Sequence, residues 1–189
     1  MRRLHVGFTG KATWLAALLI FFALTGCHVL SKNKWTTQPK LPFKVSGAQD
    51  KHIIAMQTLL MKNGVRVVTM GQDYLISIPS TALFPDESPQ LMWGGYSLLD
   101  AVSCYLEQFR KVAVTVTAFS NKCVSAKRDR ALTLARARAV GDYLWSQGID
   151  SRFVFTQGLG SDKPITRYNQ KGDHSENSRI EITFRDAVA

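Results

Sequence analysis

The alternation of apolar and polar positions is clearest between residues 112 and 121, VAVTVTAFSN. Val112, Val114, Val116 and Ala118 alternate there with Ala113, Thr115, Thr117 and Phe119. A period of two predicts a strand with one face buried. In the next segment, LTLARARAVGDYL (132–144), the spacing changes. Leu132, Ala135, Ala139, Val140, Tyr143 and Leu144 recur at three- and four-residue intervals, predicting one buried face of a helix that ends at Gly148. Arg152 to Gln157 reads as a further strand, GLGSDKP (158–164) as a turn, and NSRIEITF (177–184) as an end strand.

Upstream, Lys51 to Lys62 predicts a helix that stops at Asn63-Gly64. Val65–Met70 and Tyr74–Ile78 predict a hairpin around Gly71-Gln72-Asp73, and Pro79 ends its second strand. Thr81 to Gln90, with two prolines and acidic residues, reads as a loop with Phe84 as its core plug. Gly94 to Arg110 predicts a helix with Leu98, Leu99, Val102, Tyr105, Leu106 and Phe109 on its buried stripe. Together these elements predict an α+β sandwich, a mixed sheet with helices packed on one face, in a single domain over residues 51–189.

The first fifty residues follow other rules. Arg2, Arg3 and Lys11 precede an apolar run from Ala12 to Leu24 that is short for a membrane span. The run ends in Leu24-Thr25-Gly26-Cys27, which resembles the bacterial lipobox. That resemblance implies a signal peptide over 1–26, cleavage before Cys27 and lipidation of its sulfur. The alternatives are an uncleaved inner-membrane anchor or an ordinary signal peptide with a chance cysteine. His28, not Asp, follows the cysteine, and by the sorting rule of the enterobacterial lipoproteins that it resembles this implies the outer membrane, with the domain facing the periplasm. Residues 27–50 hold two prolines and no sustained period, and read as a linker. Extended, such an arm spans about 75 Å, or roughly 26 Å as a flexible coil.

The chain of 189 residues carries a formal charge of +10, and loss of 1–26 removes three basic and no acidic side chains, leaving +7. A basic surface in the periplasm suits lipid head groups or cell-wall carboxylates, and the targeting signal argues against nucleic acid. With Cys27 assigned to the lipid, Cys104 and Cys123 remain. An oxidising compartment leaves three options open: a bond between them, free thiols, or contact with a partner. His52 and His174 stand far apart and near no nucleophile motif, and no Cys/His spacing suggests a metal. The inventory predicts neither an enzyme nor a cofactor. Asp162, Asp173 and Glu176 fall in a polar loop and read as solvated surface.

The dispersed pieces AFSN, LTLARARAVGDYLWSQGI, GLGSDKP, Asn169 and NSRIEI resemble, in order and spacing, the OmpA-like family, which includes the peptidoglycan-associated lipoproteins. The resemblance spans about residues 70–185. It implies a peptidoglycan-binding cleft in which an acidic residue at the end of the central strand meets the ammonium of diaminopimelate, and a helical arginine pairs with its carboxylate. The arginine position is Arg136, and the acidic position holds Asn121, fifteen residues earlier. Asn supplies no charge, and loss of a charge-assisted hydrogen bond costs about 1.5–3 kcal/mol, so the wall contact expected here is weak. Arg179 matches the second arginine of the family's end-strand motif, while Ser178 replaces the first; Arg179 is expected to tie the strand to the site. Without the motif, Arg136 would read as a solvated helix charge or an internal ion pair. The chain also resembles small OmpA-like lipoproteins of type IVB secretion systems. That implies a structural subunit of an envelope-spanning core complex, partnered by other core proteins. The alternative is a stand-alone lipoprotein tethering the outer membrane to peptidoglycan.

Overall fold

The structure is a computed structural model, and it describes residues 51–122, 125–149, 153–167 and 172–187. The chain divides into two units, Met1–Gln38 and Pro39–Ala189, and every described residue belongs to the second. The signal segment, Cys27, the linker with Trp35 and Phe43, Cys123 and Asn169 all lie outside the described residues.

In chain order the elements are α1 (Lys51–Lys62), β1 (Arg66–Met70), β2 (Asp73–Pro79), the short helix α2 (Ser80–Leu83), α3 (Trp93–Glu107), β3 (Lys111–Phe119), α4 (Ala126–Ser146), β4 (Val154–Gly160), a 3₁₀ turn (Gly172–His174) and β5 (Arg179–Asp186). The five strands form one sheet in the order β1-β2-β5-β3-β4. Only β3 and β4 run parallel, joined through α4; the other neighbours are antiparallel. The mixed sheet and its helices are the α+β architecture predicted above.

One face of the sheet is the core. Ile76 and Ile78 of β2, Ile180 and Ile182 of β5, and Val116 and Ala118 of β3 are wholly inaccessible, and pack with Leu99, Val102, Tyr105 and Leu106 of α3 and Ala137, Val140 and Leu144 of α4. The other face carries a row crossing all five strands, Val68, Leu75, Thr183, Thr115 and Phe155, in register. Phe155 is more than half exposed there. Among the described residues no helix is long and apolar enough to cross a membrane.

Local chemistry sets the boundaries. Ser125 caps α4, its hydroxyl accepting from the Arg128 N–H. At the other end Gly148 adopts φ +100, and the Ile149 N–H returns to the Leu144 carbonyl at 3.2 Å, which seats Ile149 in the core. A side chain at that φ is strained although nothing crowds it, so Gly148→Ala is expected to lower stability by about 1–2 kcal/mol, read as a shift in urea midpoint at unchanged slope.

Two predicted boundaries and one predicted face are corrected. The segment after Pro79 opens as a helical turn, because the Ser80 N–H bonds to Ser178 O and the Phe84 N–H to Ser80 O; Phe84 is the buried plug expected. The predicted strand 152–157 becomes 154–160, since Gly158 and Gly160 continue the ladder opposite Ala118 and Phe119 instead of starting a turn. The buried face of α4 is rotated from the predicted stripe. It runs through Asp129, Thr133, Arg136, Ala137, Val140, Gly141 and Leu144, while Leu132, Ala135, Ala139 and Tyr143 are half-buried. The polar members of that face belong to the site.

Candidate functional site

Arg136 lies in the middle of α4 with its side chain inaccessible to solvent. Such a charge needs full hydrogen bonding to be tolerated. Its Nη1 donates to Asp173 Oδ1 at 2.8 Å and its Nη2 to Asp173 Oδ2 at 2.5 Å, a planar two-point match. Its Nε donates to the Ser88 carbonyl at 2.8 Å and Nη2 again to the Pro85 carbonyl at 3.2 Å. The Phe84 ring lies beneath the guanidinium, 5.1 Å from its carbon. Four of the five N–H donors are thereby engaged. Two stretches remote in sequence make this environment: the loop after α2 supplies the ring and the carbonyls, and the 3₁₀ turn supplies the carboxylate.

Asp173 is held as firmly as the arginine that it faces. Its Oδ2 accepts from the Glu87 backbone N–H at 2.8 Å, and the Ser178 hydroxyl donates to the same carboxylate. Burial alone would raise its pKa. The hydrogen bonds from Arg136, Glu87 and Ser178, together with the arginine's charge, outweigh that and hold it below the usual carboxylate value. A carboxylate depressed in the fold contributes stability that is complete above the unfolded value near 3.8 and is lost as the pH falls through the folded value. Melting temperature scanned from pH 6 down is expected to drop below about pH 4. Asp173→Asn, already less stable at neutral pH, is expected to show a shallower acid limb.

The expectation that Asp173 belongs to a solvated loop is overturned: the residue is 4% exposed. Its two companions do lie at the surface, Asp162 paired with Arg130 at 3.0 Å and Glu176 with Arg66 at 3.8 Å. Nothing in KGDHSE marks one acidic residue as buried, since the segment has no apolar period.

Asn121 follows β3 and is buried. Its backbone N–H donates to Ser178 Oγ at 2.9 Å, and its side-chain oxygen accepts from Asn177 Nδ2 at 3.3 Å. Asn177, which sequence reasoning left without a role, clamps the loop below: its Oδ1 accepts from the Ile165 and Thr166 N–H groups at 2.8 and 3.0 Å. Arg179 opens β5, stacked 4.0 Å over Phe119 and bonded through Nε to Glu181 at 2.7 Å, with Nη1 on the Asn177 carbonyl at 3.1 Å. A continuous hydrogen-bonded path therefore joins the three candidates: Arg136, Asp173, Ser178, Asn121, Asn177, Arg179. The serine standing in the first arginine position of the end-strand motif is its hinge. Both arginines of this path are matched to a carboxylate.

Beside the path a cleft of about 260 Å³ is lined by Arg66, Asp173, His174, Glu176, Ser178 and Arg179, among others. Cys104 is an exposed free thiol on α3. Among the described residues no group of His, Cys, Asp or Glu is arranged to hold a metal ion.

A five-stranded mixed sheet backed by helices, with an arginine of the β3–α4–β4 crossover joined to the start of the last strand, defines a class. The OmpA family model matches residues 83–178, and the chain belongs to the OmpA family. Among its relatives, the probable lipoprotein YiaD of Escherichia coli (strain K12) is 30% identical over 121 residues, 64% of this chain and 55% of that one. The chain thus spans about half the length of that relative. A peptidoglycan-associated lipoprotein of Mesorhizobium japonicum is 25% identical over 127 residues, 66% of this chain and 76% of that protein. Of solved structures, the cell wall anchor of the type VI secretion system from Pseudomonas aeruginosa superposes with a TM-score of 0.64 at 22% identity, covering 71% of this chain and 96% of that one. At that identity the likeness speaks for the fold.

Proposed function

We propose that this chain is a lipid-anchored, non-catalytic module of the bacterial envelope, acting as a structural subunit of a type IVB secretion core complex and meeting peptidoglycan only weakly. In this reading residues 1–26 are a signal peptide, Cys27 carries the lipid in the outer membrane, 27–50 form the linker, and 51–189 are the OmpA-like domain in the periplasm. The finer likeness is to DotK (IcmN), a small lipoprotein of the Dot/Icm system. One observation carries the preference for protein partners over the wall: the Arg136 guanidinium, placed where the family resemblance implies a ligand carboxylate, is already spent on Asp173. Asn121, neutral and bonded to Asn177, leaves the ammonium side of such a ligand without its counter-charge.

The second reading, a stand-alone tether between outer membrane and cell wall, draws on relatives named peptidoglycan-associated lipoproteins. Affinity purification of the full chain from detergent-solubilised envelopes separates the two. A stoichiometric set of envelope proteins is the expected result; recovery with wall fragments and no such set sinks the subunit reading. Co-sedimentation of the full chain in detergent with purified peptidoglycan is the companion measurement. Wild type is expected to stay largely in solution, and Asn121→Asp shows whether a charge at that position restores pelleting.

A further inference from the structure

An arginine whose rear edge is fixed by two backbone carbonyls presents its front edge to whatever carboxylate reaches it. Here Ser88 O and Pro85 O hold Nε and Nη2 from behind, and Phe84 supports the plane from below. The guanidinium cannot turn to meet a ligand elsewhere without giving up these bonds. Its front edge receives Asp173, which comes from 37 residues further along the chain, and Asp173 also forms part of the wall of the open cleft. Asp173 is thus both the partner of a fixed carboxylate fork and a lining residue of a cleft that a small ligand can enter.

We propose that Arg136 forms a preformed carboxylate slot whose occupant is built into the chain, and that Asp173 is the residue deciding that this slot accepts no external carboxylate. This deepens the functional reading above: the chain refuses the anionic half of a wall ligand because it supplies that half itself. Three features support an occupant rather than an incidental pair. The contact uses both carboxylate oxygens, both partners are nearly inaccessible, and the carboxylate has its own fixings, Glu87 N–H and Ser178, independent of the arginine. Truncating Asp173 at its β-carbon removes the fork's occupant and spares the partners of its rear bonds, Ser88 O and Pro85 O.

The test is thermal unfolding of full-length Asp173→Ala in detergent at pH 7, in sodium acetate against sodium chloride at matched ionic strength. Acetate at ten times its dissociation constant is expected to raise the variant's melting temperature by about 3–6 °C and to leave wild type unmoved. The double variant Arg136→Met/Asp173→Ala is expected to lose the acetate effect. Should Asp173→Ala not fold in chloride, its refolding yield in the two salts is the readout, with acetate expected to restore it. Equal behaviour in acetate and chloride, including no refolding in either, overturns the proposal. So does an equal acetate response in wild type, or a response that survives in the double variant. Failure here leaves the identity of co-purifying proteins untouched, so it is distinct from failure of the functional reading.

Discussion

Arg136→Ala is expected to lower stability by about 3–5 kcal/mol, a fall of roughly 10–20 °C in melting temperature for a folded part of this size. The loss arises less from the missing ion pair than from what remains. Asp173, 4% exposed in wild type, would be left with its charge uncompensated, and the Ser88 and Pro85 carbonyls would lose their donors. Replacing both partners together, Arg136→Met with Asp173→Leu, is expected to recover only part of that loss: the uncompensated charge is gone, but the Ser88 and Pro85 carbonyls and the Glu87 N–H stay without their partners. A double-mutant cycle by urea unfolding measures the coupling directly. A single variant that melts within a degree or two of wild type would show that the pair is open to solvent. One practical result follows for any binding assay on this fold: loss of wall binding in Arg136→Ala reports unfolding unless melting is measured beside it.

The second large effect comes from the smallest change. A β-carbon built on Gly158 lies 2.2 Å from the Leu134 backbone nitrogen and 2.6 Å from its α-carbon. These are main-chain atoms of α4, so no rotamer change relieves the clash. The helix must move off β4, and with it the position of Arg136, half a turn further on. Gly158→Ala is therefore expected to cost about 3 kcal/mol or more, at the top of the range for overpacking a core. Gly141→Ala is the control. Its new carbon would meet the Thr156 Cγ2 at 2.6 Å, the end of a side chain that can turn away, and a smaller loss is expected. Comparable melting temperatures for the two variants would refute the backbone argument.

These sites also mark how far the sequence could be read. The period-2 run and the stripe of α3 predicted their elements and most of their buried residues, because packing on a single face leaves its period in the chain; Val112 departs from it, 62% exposed beside the register shift between Lys111 and Val114, and Phe119 is buried. The Arg136 position and the end strand were legible from the spacing of dispersed motif pieces. What escaped was tertiary. The face of α4 is turned from its apolar stripe because Gly158 brings β4 against Leu134 and because Arg136 points inward as a charge, which an apolar period does not count. Asp173 was illegible for the same reason. Its burial depends on a partner 37 residues away, and its neighbours carry no pattern. Of the two readings of Arg136 available without the motif, solvated charge and internal pair, the structure has the pair.

The strand order has a consequence for how this protein is made. β5 is the last strand in the chain, yet it lies third in the sheet, between β2 and β3. A ribosome or an export channel releasing the chain from its N-terminus therefore delivers β1–β2 and β3–α4–β4 as two halves with no hydrogen bonds between their strands. Neither half can close its core until β5 arrives to zip them together. Contacts over such long sequence separations form late. Closure of the core is therefore expected to wait for the chain's C-terminal strand, so a truncation that removes β5 is expected to leave both halves unfolded.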